Sequence, residues 1–72
     1  MALKQSAIDQ INRHEEIPVE IDGVCVKLIF SDGSRAVAQL DGARVAVTGD
    51  GKTYVGIFEA DPGGDRGFVV LR

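Results

Sequence analysis

Among 72 residues there is no tryptophan, one tyrosine, one cysteine, one histidine and two prolines. A single thiol, Cys25, forms no intrachain disulfide. Together with an N-terminal stretch, MALKQSAIDQ, that does not read as a secretory signal, it points to a reducing interior. One His and one Cys do not build a zinc site, which takes three or four ligands. His14 stands beside Glu15 and Glu16 with no Ser/His/Asp set to make it a catalytic base. No apolar run approaches the roughly 20 residues that span a membrane. Basic residues are few and scattered (Lys4, Arg13, Lys27, Arg35, Arg44, Lys52, Arg66, Arg72), and the net charge is −3. That balance weighs against nucleic acid as the main partner.

What remains is a short chain with a β signature. Its length allows one small domain, which buries only about 60% of its unfolded surface and has a thin stability margin. Residues 3–14 carry the only helical period. Leu3, Ala7, Ile8 and Ile11 form an apolar stripe, and Lys4, Gln5, Asp9, Gln10, Asn12 and Arg13 face away. Pro18 disfavours helix at Ile17, so the helix is expected to end near His14 to Glu16. After it come Val19 and Ile21 in alternation, then VCVKLIF (24–30), RAVAQL (35–40), ARVAV (43–47), TYVGIFEA (53–60) and GFVVLR (67–72), all strand patterns. In the first of these, Val24, Val26, Leu28 and Phe30 share one face. Asp-Gly pairs at 22–23, 32–33, 41–42 and 50–51, and DPGGD at 61–65, punctuate them as turns. The fold expected is mainly β: a small antiparallel β-barrel or meander (17–72) preceded by an N-terminal helix or arm (1–16).

AVTGDGKT (46–53) is one residue away from a phosphate-binding G-x-x-x-x-G-K-[ST] loop, with Ala46 in place of the first Gly. Such a loop works by joining a strand to a helix whose N-terminus faces the anion. Here TYVGIF follows, a strand pattern, so the stretch reads as a hairpin turn. No cofactor is expected. Asp61 and Asp65 flank a turn but lack the Asp-x-Asp-x-Asp-Gly spacing of a calcium loop. Phe30, Tyr54, Phe58 and Phe68 each share a strand face with Val, Leu or Gly and are expected in the core, not on a base-stacking face. With no catalytic, metal or cofactor constellation, the chain is expected to act through surfaces.

A short helix leading into IPVEIDGVCVKLIF, with the ending ARVAVTGDGKTYVGIFEADPGGDRGFVVLR, resembles the small head–tail joining (head completion) proteins of long-tailed phages and prophages, the lambda and Gifsy type. That resemblance implies a non-enzymatic short barrel that assembles as a ring between connector and tail. Its place would be the host cytoplasm during assembly and then the virion. The chain is shorter than typical members of that family, and the loop between the early strands, which often contributes to ring contacts there, is reduced to SDGSR.

Interaction candidates on this reading are Leu3, Ala7, Ile8 and Ile11, whose stripe packs either in its own domain or on a neighbour. Arg35, Arg44 and Arg66 join them, set to meet Asp32, Asp41 and Asp61 of the next subunit. Removing residues 1–14 is expected to leave the barrel folded. The partners expected are protein subunits, with no membrane and no small-molecule substrate. Two other readings stand beside the joiner: an acidic phage or mobile-element regulatory module that masks a partner, and a small barrel that binds single-stranded nucleic acid.

Overall fold

In the computed structural model of the chain, residues 3–72 are described. One helix, α1 (Gln5–Asn12), precedes six strands: β1 (Ile17–Asp22), β2 (Cys25–Ile29), β3 (Arg35–Asp41), β4 (Arg44–Gly49), β5 (Lys52–Ala60) and β6 (Arg66–Leu71). Each strand pairs antiparallel with the next, and β6 returns to β1 through Ile17↔Val69 and Val19↔Gly67, closing a barrel. The fold is thus the small antiparallel barrel with an N-terminal helix that the alternation and turn spacing predict. β5 makes closure possible: it pairs with β4 from Lys52 to Ile57 and with β6 from Gly56 to Ala60.

The turns divide into three kinds. Asp50 and Gly51 form a two-residue turn between the paired Gly49 and Lys52, with φ of 54° and 75°. Both central residues are left-handed, the type I′ arrangement that suits the twist of a hairpin. AVTGDGKT is therefore a hairpin, and no helix follows Thr53. At Asp22↔Cys25 and Asp41↔Arg44 the aspartates close the ladders instead. The turns there are Gly23-Val24 and Gly42-Ala43, with only the glycine at positive φ. Val24 therefore leaves the strand and is 69% exposed, contrary to its expected place beside Val26 and Leu28. Asp32-Gly33 sits in a longer loop, in which Phe30 N–H donates to Ser34 C=O and Ser34 N–H donates to Asp32 Oδ1 at 2.8 Å.

The interior is filled by alternate residues of every strand, large against small. Leu28 lies opposite Ala36 and Val26 opposite Ala38, while Gly56 lies opposite Leu71. A Cβ on Gly56 would come within 2.3 Å of the Val70 carbonyl oxygen, so the strongly coiled β5–β6 contact requires glycine there. Gly67 leaves room for the Phe58 ring in the same way. Pro18 lacks an N–H where the β1–β2 ladder has already ended, at Val19↔Leu28, so it costs no ladder bond.

α1 belongs to the same core. Ala7, Ile8 and Ile11 are buried, and Ala7 and Ile11 pack with Ile17, Phe30, Val69 and Leu71 in the barrel cluster. Gln10, expected on the polar face, is also buried, and its Oε1 accepts from Ser31 N–H at 2.9 Å. The reason is geometric: position 10 is i+3 from Ala7 and flanks the stripe. The helix therefore lies over the barrel end formed by the β2–β3 loop and the C-terminal ends of β4 and β6. It stops in a Schellman arrangement, with His14 N–H on Ile11 C=O and Glu15 N–H on Gln10 C=O. His14 takes the left-handed position that such a stop needs, at φ 54°. That gives the lone histidine a structural place.

Candidate functional site

Strand alternation leaves a second, outward set of side chains. On the wall formed by β5 and β6 that set is apolar at its centre. Ile57 is 58% exposed and faces Val70 across the pair, while Phe68 is 40% exposed between Glu59 and Pro18. Val55, Ile57, Phe68 and Val70 line a shallow groove with Glu16, Glu59 and Arg72 at its rim. Arg44 lies opposite Ile57 on the neighbouring strand, and Arg66 opposite Glu20. Carboxylates and guanidinium groups thus alternate around the strip, and no single-sign face forms. Two strands away on either side, the β2–β3 wall presents Val37, 61% exposed, opposite Lys27.

Phe68 corrects a sequence expectation. Phe30 and Tyr54 are buried and Phe58 packs against the core, but Phe68 points outward. β5 and β6 are apolar on both faces, so composition does not tell which face turns inward. Only their registers with β4 and β1 decide it. Of the four aromatics, Phe68 alone is displayed on the outer surface.

No protein-family model matches the chain, and no curated protein or solved structure matches it.

The other candidates are dispersed or internal. Leu3, Ala7, Ile8 and Ile11 serve the protein's own core, with Leu3 half-buried against Gly49, so they offer little surface to a neighbour. The truncation of residues 1–14, expected to spare the barrel, would remove part of the core. Arg35 stands at the helix-covered end of the barrel, whereas Arg44 and Arg66 begin β4 and β6 at the opposite end. The three do not form one patch, and Asp32 is likewise separated from Asp41 and Asp61. The surface ion pairs are local: Arg13 Nε to Glu15 Oε2 at 2.7 Å and Lys27 Nζ to Asp22 Oδ2 at 3.7 Å.

Asp32 does gain a role, as a fastener of helix to barrel. Ser34 donates to Oδ1 by hydroxyl and by N–H, and the Ser6 hydroxyl of α1 donates to Oδ2. These bonds, from Ser34 first and Ser6 next, hold its pKa down at about 2 against an ordinary 3.8. SDGS forecasts the local Asx turn, but nothing in sequence pairs Asp32 with Ser6. Among the described residues no group of three or more His, Cys, Asp or Glu is placed to hold a metal ion, and no helix is long and apolar enough to cross a membrane.

Proposed function

We propose that this barrel is a non-enzymatic assembly subunit that binds neighbouring protein chains through its outer walls. In its specific form it is a phage or prophage head–tail joining protein that closes into a ring. The observation that carries the reading is the outward strip Val55, Ile57, Phe68 and Val70, with an exposed Val37 on the opposing β2–β3 wall. Large apolar side chains displayed together on a rigid wall mark contact surfaces. An apolar strip on one wall that meets a different surface of the next subunit suits head-to-tail contact, which generates closed rings when the rotation closes. The interleaved charges favour this over a masking module with a single acidic face, because mixed rims set register between subunits. The closed barrel alters one part of the idea. β1, β2, β5 and β6 each pair with a neighbour on both sides in the closed barrel, so side-chain packing rather than a shared strand edge carries the contact there.

The test is native mass spectrometry of the purified chain at high micromolar concentration, with Ile57→Glu alongside. A discrete ring-sized oligomer that Ile57→Glu dissociates supports assembly through this wall. A strict monomer for the unaltered chain overturns self-assembly. Quantifying the chain in purified particles against the portal then separates a virion component from a cell-bound one.

A further inference from the structure

The β3–β4 ladder is incomplete. It runs from Asp41↔Arg44 through Leu40↔Val45 to Gln39↔Ala46 and stops, although β3 begins at Arg35 and β4 continues to Gly49. In register, Ala38 with Val47 comes next, and the next pair to face each other with backbone groups is Val37 with Thr48. Leu40 N–H donates to Val24 C=O, so residue 40 turns its backbone to β2, and Val37, three residues earlier, turns its own to β4. Phe58 N–H donates to Ala43 C=O, so by the same alternation Thr48 turns its backbone to β3. Both residues aim their backbone groups at the other strand, and the β3–β4 pairing stops short of them, at Gln39↔Ala46. A groove of about 410 Å³ follows this gap, lined by Leu3, Ala36 and Val47 inside and Val37 and Thr48 outside. The charged side chains along it, Lys4 and Arg35, are both cationic.

We infer that this open seam is a strand-docking site that takes an extended, acidic peptide segment from a partner protein. An incoming strand satisfies the Val37 and Thr48 backbone groups by β-augmentation. Its inward residue is a small aliphatic that packs beside Leu3, because Ala36 and Val47 are already 6% and 3% exposed. Its flanking residues are Asp or Glu, because they meet Lys4 and Arg35. The open stretch of β3, Arg35 to Ala38, covers roughly 10 Å at about 3.3 Å per residue, enough for three or four partner residues. The inference shares Val37 with the ring reading but uses its backbone, whereas the ring reading rests mainly on the side chains of the β5–β6 wall.

The experiment is NMR titration of the labelled chain with the blocked peptide EVEVE, and with KVKVK as the charge-reversed control. Expected are shifts centred on Val37 and Thr48, slowed hydrogen exchange at those two amides, and at least tenfold weaker binding of KVKVK. The variant K4E/R35E should reverse the preference and bind KVKVK, while a far-ultraviolet spectrum like that of the unaltered chain shows it folded. Three results overturn the inference. They are amides of Val37 and Thr48 already protected in the free protein, shifts confined to β5 and β6, and equal binding of both peptides. The native mass measurement of the ring is unaffected by any of them.

Discussion

Replacing Ile11 by Ala asks whether the helix is part of the barrel or an appendage. Ile11 is 1% exposed and packs in the central cluster with Phe30 and Leu71 as neighbours in that core. Ile→Ala at such a site removes three carbons and leaves a cavity, at a cost of about 2–5 kcal/mol. A value of about 3 kcal/mol fits a helix end that relaxes partly into the gap. For a chain of 72 residues the whole stability is roughly 4–11 kcal/mol, at about 0.05–0.15 kcal/mol per residue. The substitution therefore removes about a quarter or more of it, and Tm should fall by roughly 12–24 °C, at about 4–8 °C per kcal/mol for a domain this small. Calorimetry reads it, with Val24→Ala as the control. Val24 is 69% exposed and its truncation should change stability by less than about 0.5 kcal/mol. A single transition that drops for Ile11→Ala supports one shared core. An Ile11→Ala melt that overlays the unaltered protein would refute it and return the helix stripe to the surface.

Gly56→Ala should lower the urea midpoint by the equivalent of about 1–3 kcal/mol with m unchanged. Its Cβ would meet the Val70 carbonyl oxygen at 2.3 Å and Leu71 Cδ2 at 2.9 Å, and an unmoved midpoint would show that β5 and β6 are not so close. His14→Gly should raise Tm by the equivalent of a few tenths to about 1 kcal/mol and His14→Val should lower it, because φ is 54° at the helix stop; identical melts for both would remove the left-handed cap. Asp32 has its pKa depressed from 3.8 to about 2, so its bonds stabilise the fold above pH 4 and are lost as pH falls from 4 to 2. Asp32→Asn should flatten the stability profile across that window, and parallel profiles for the two proteins would count against the Ser6–Asp32–Ser34 fastening.

The strands were legible because period-2 alternation and Asp-Gly turns act locally. Each pair of residues announces its hairpin whatever the rest of the chain does. Closure was less legible. Pairing of β1 with β6 joins residues about 50 apart, and only the small positions Gly56 and Gly67, which let β5 coil, hint at it. The inward face of β2 was readable, since Lys27 excludes the other face. The faces of β5 and β6 were not, since Val55, Ile57 and Val70 oppose Tyr54, Phe58, Val69 and Leu71 with equal hydrophobicity. That ambiguity hid Phe68 and Ile57, the residues the proposed contact uses most. Gln10 was hidden by its polarity: a buried amide is acceptable only because Ser31 N–H needs an acceptor at that spot, a tertiary fact.

The helix and the open seam are connected by geometry. A six-stranded barrel has a narrow interior, filled by the inward side chains of its own strands. Inserting Ala7 and Ile11 at one end requires that end to be wider than the other. The β3–β4 pairing stops on that side, after Gln39↔Ala46. Leu3 sits in this opening against Gly49, the one inward position of β4 without a side chain, and a Cβ there would come within 2.5 Å of Leu3 Cγ. Leu3 thus lies beside the unpaired part of the seam, and the β4–β5 ladder is complete from Arg44 to Gly49 on its far side. Zipping Val37 to Thr48 would gain ladder bonds but would squeeze out buried apolar groups of the helix. At about 25 cal/mol per Å² of apolar surface, burial of two such side chains outweighs one pair of exposed hydrogen bonds, each worth about 1 kcal/mol. The open backbone is therefore a consequence of the stable fold. A barrel built this way keeps two kinds of surface apart: side-chain walls on β5 and β6, and a strand-accepting edge beside the helix.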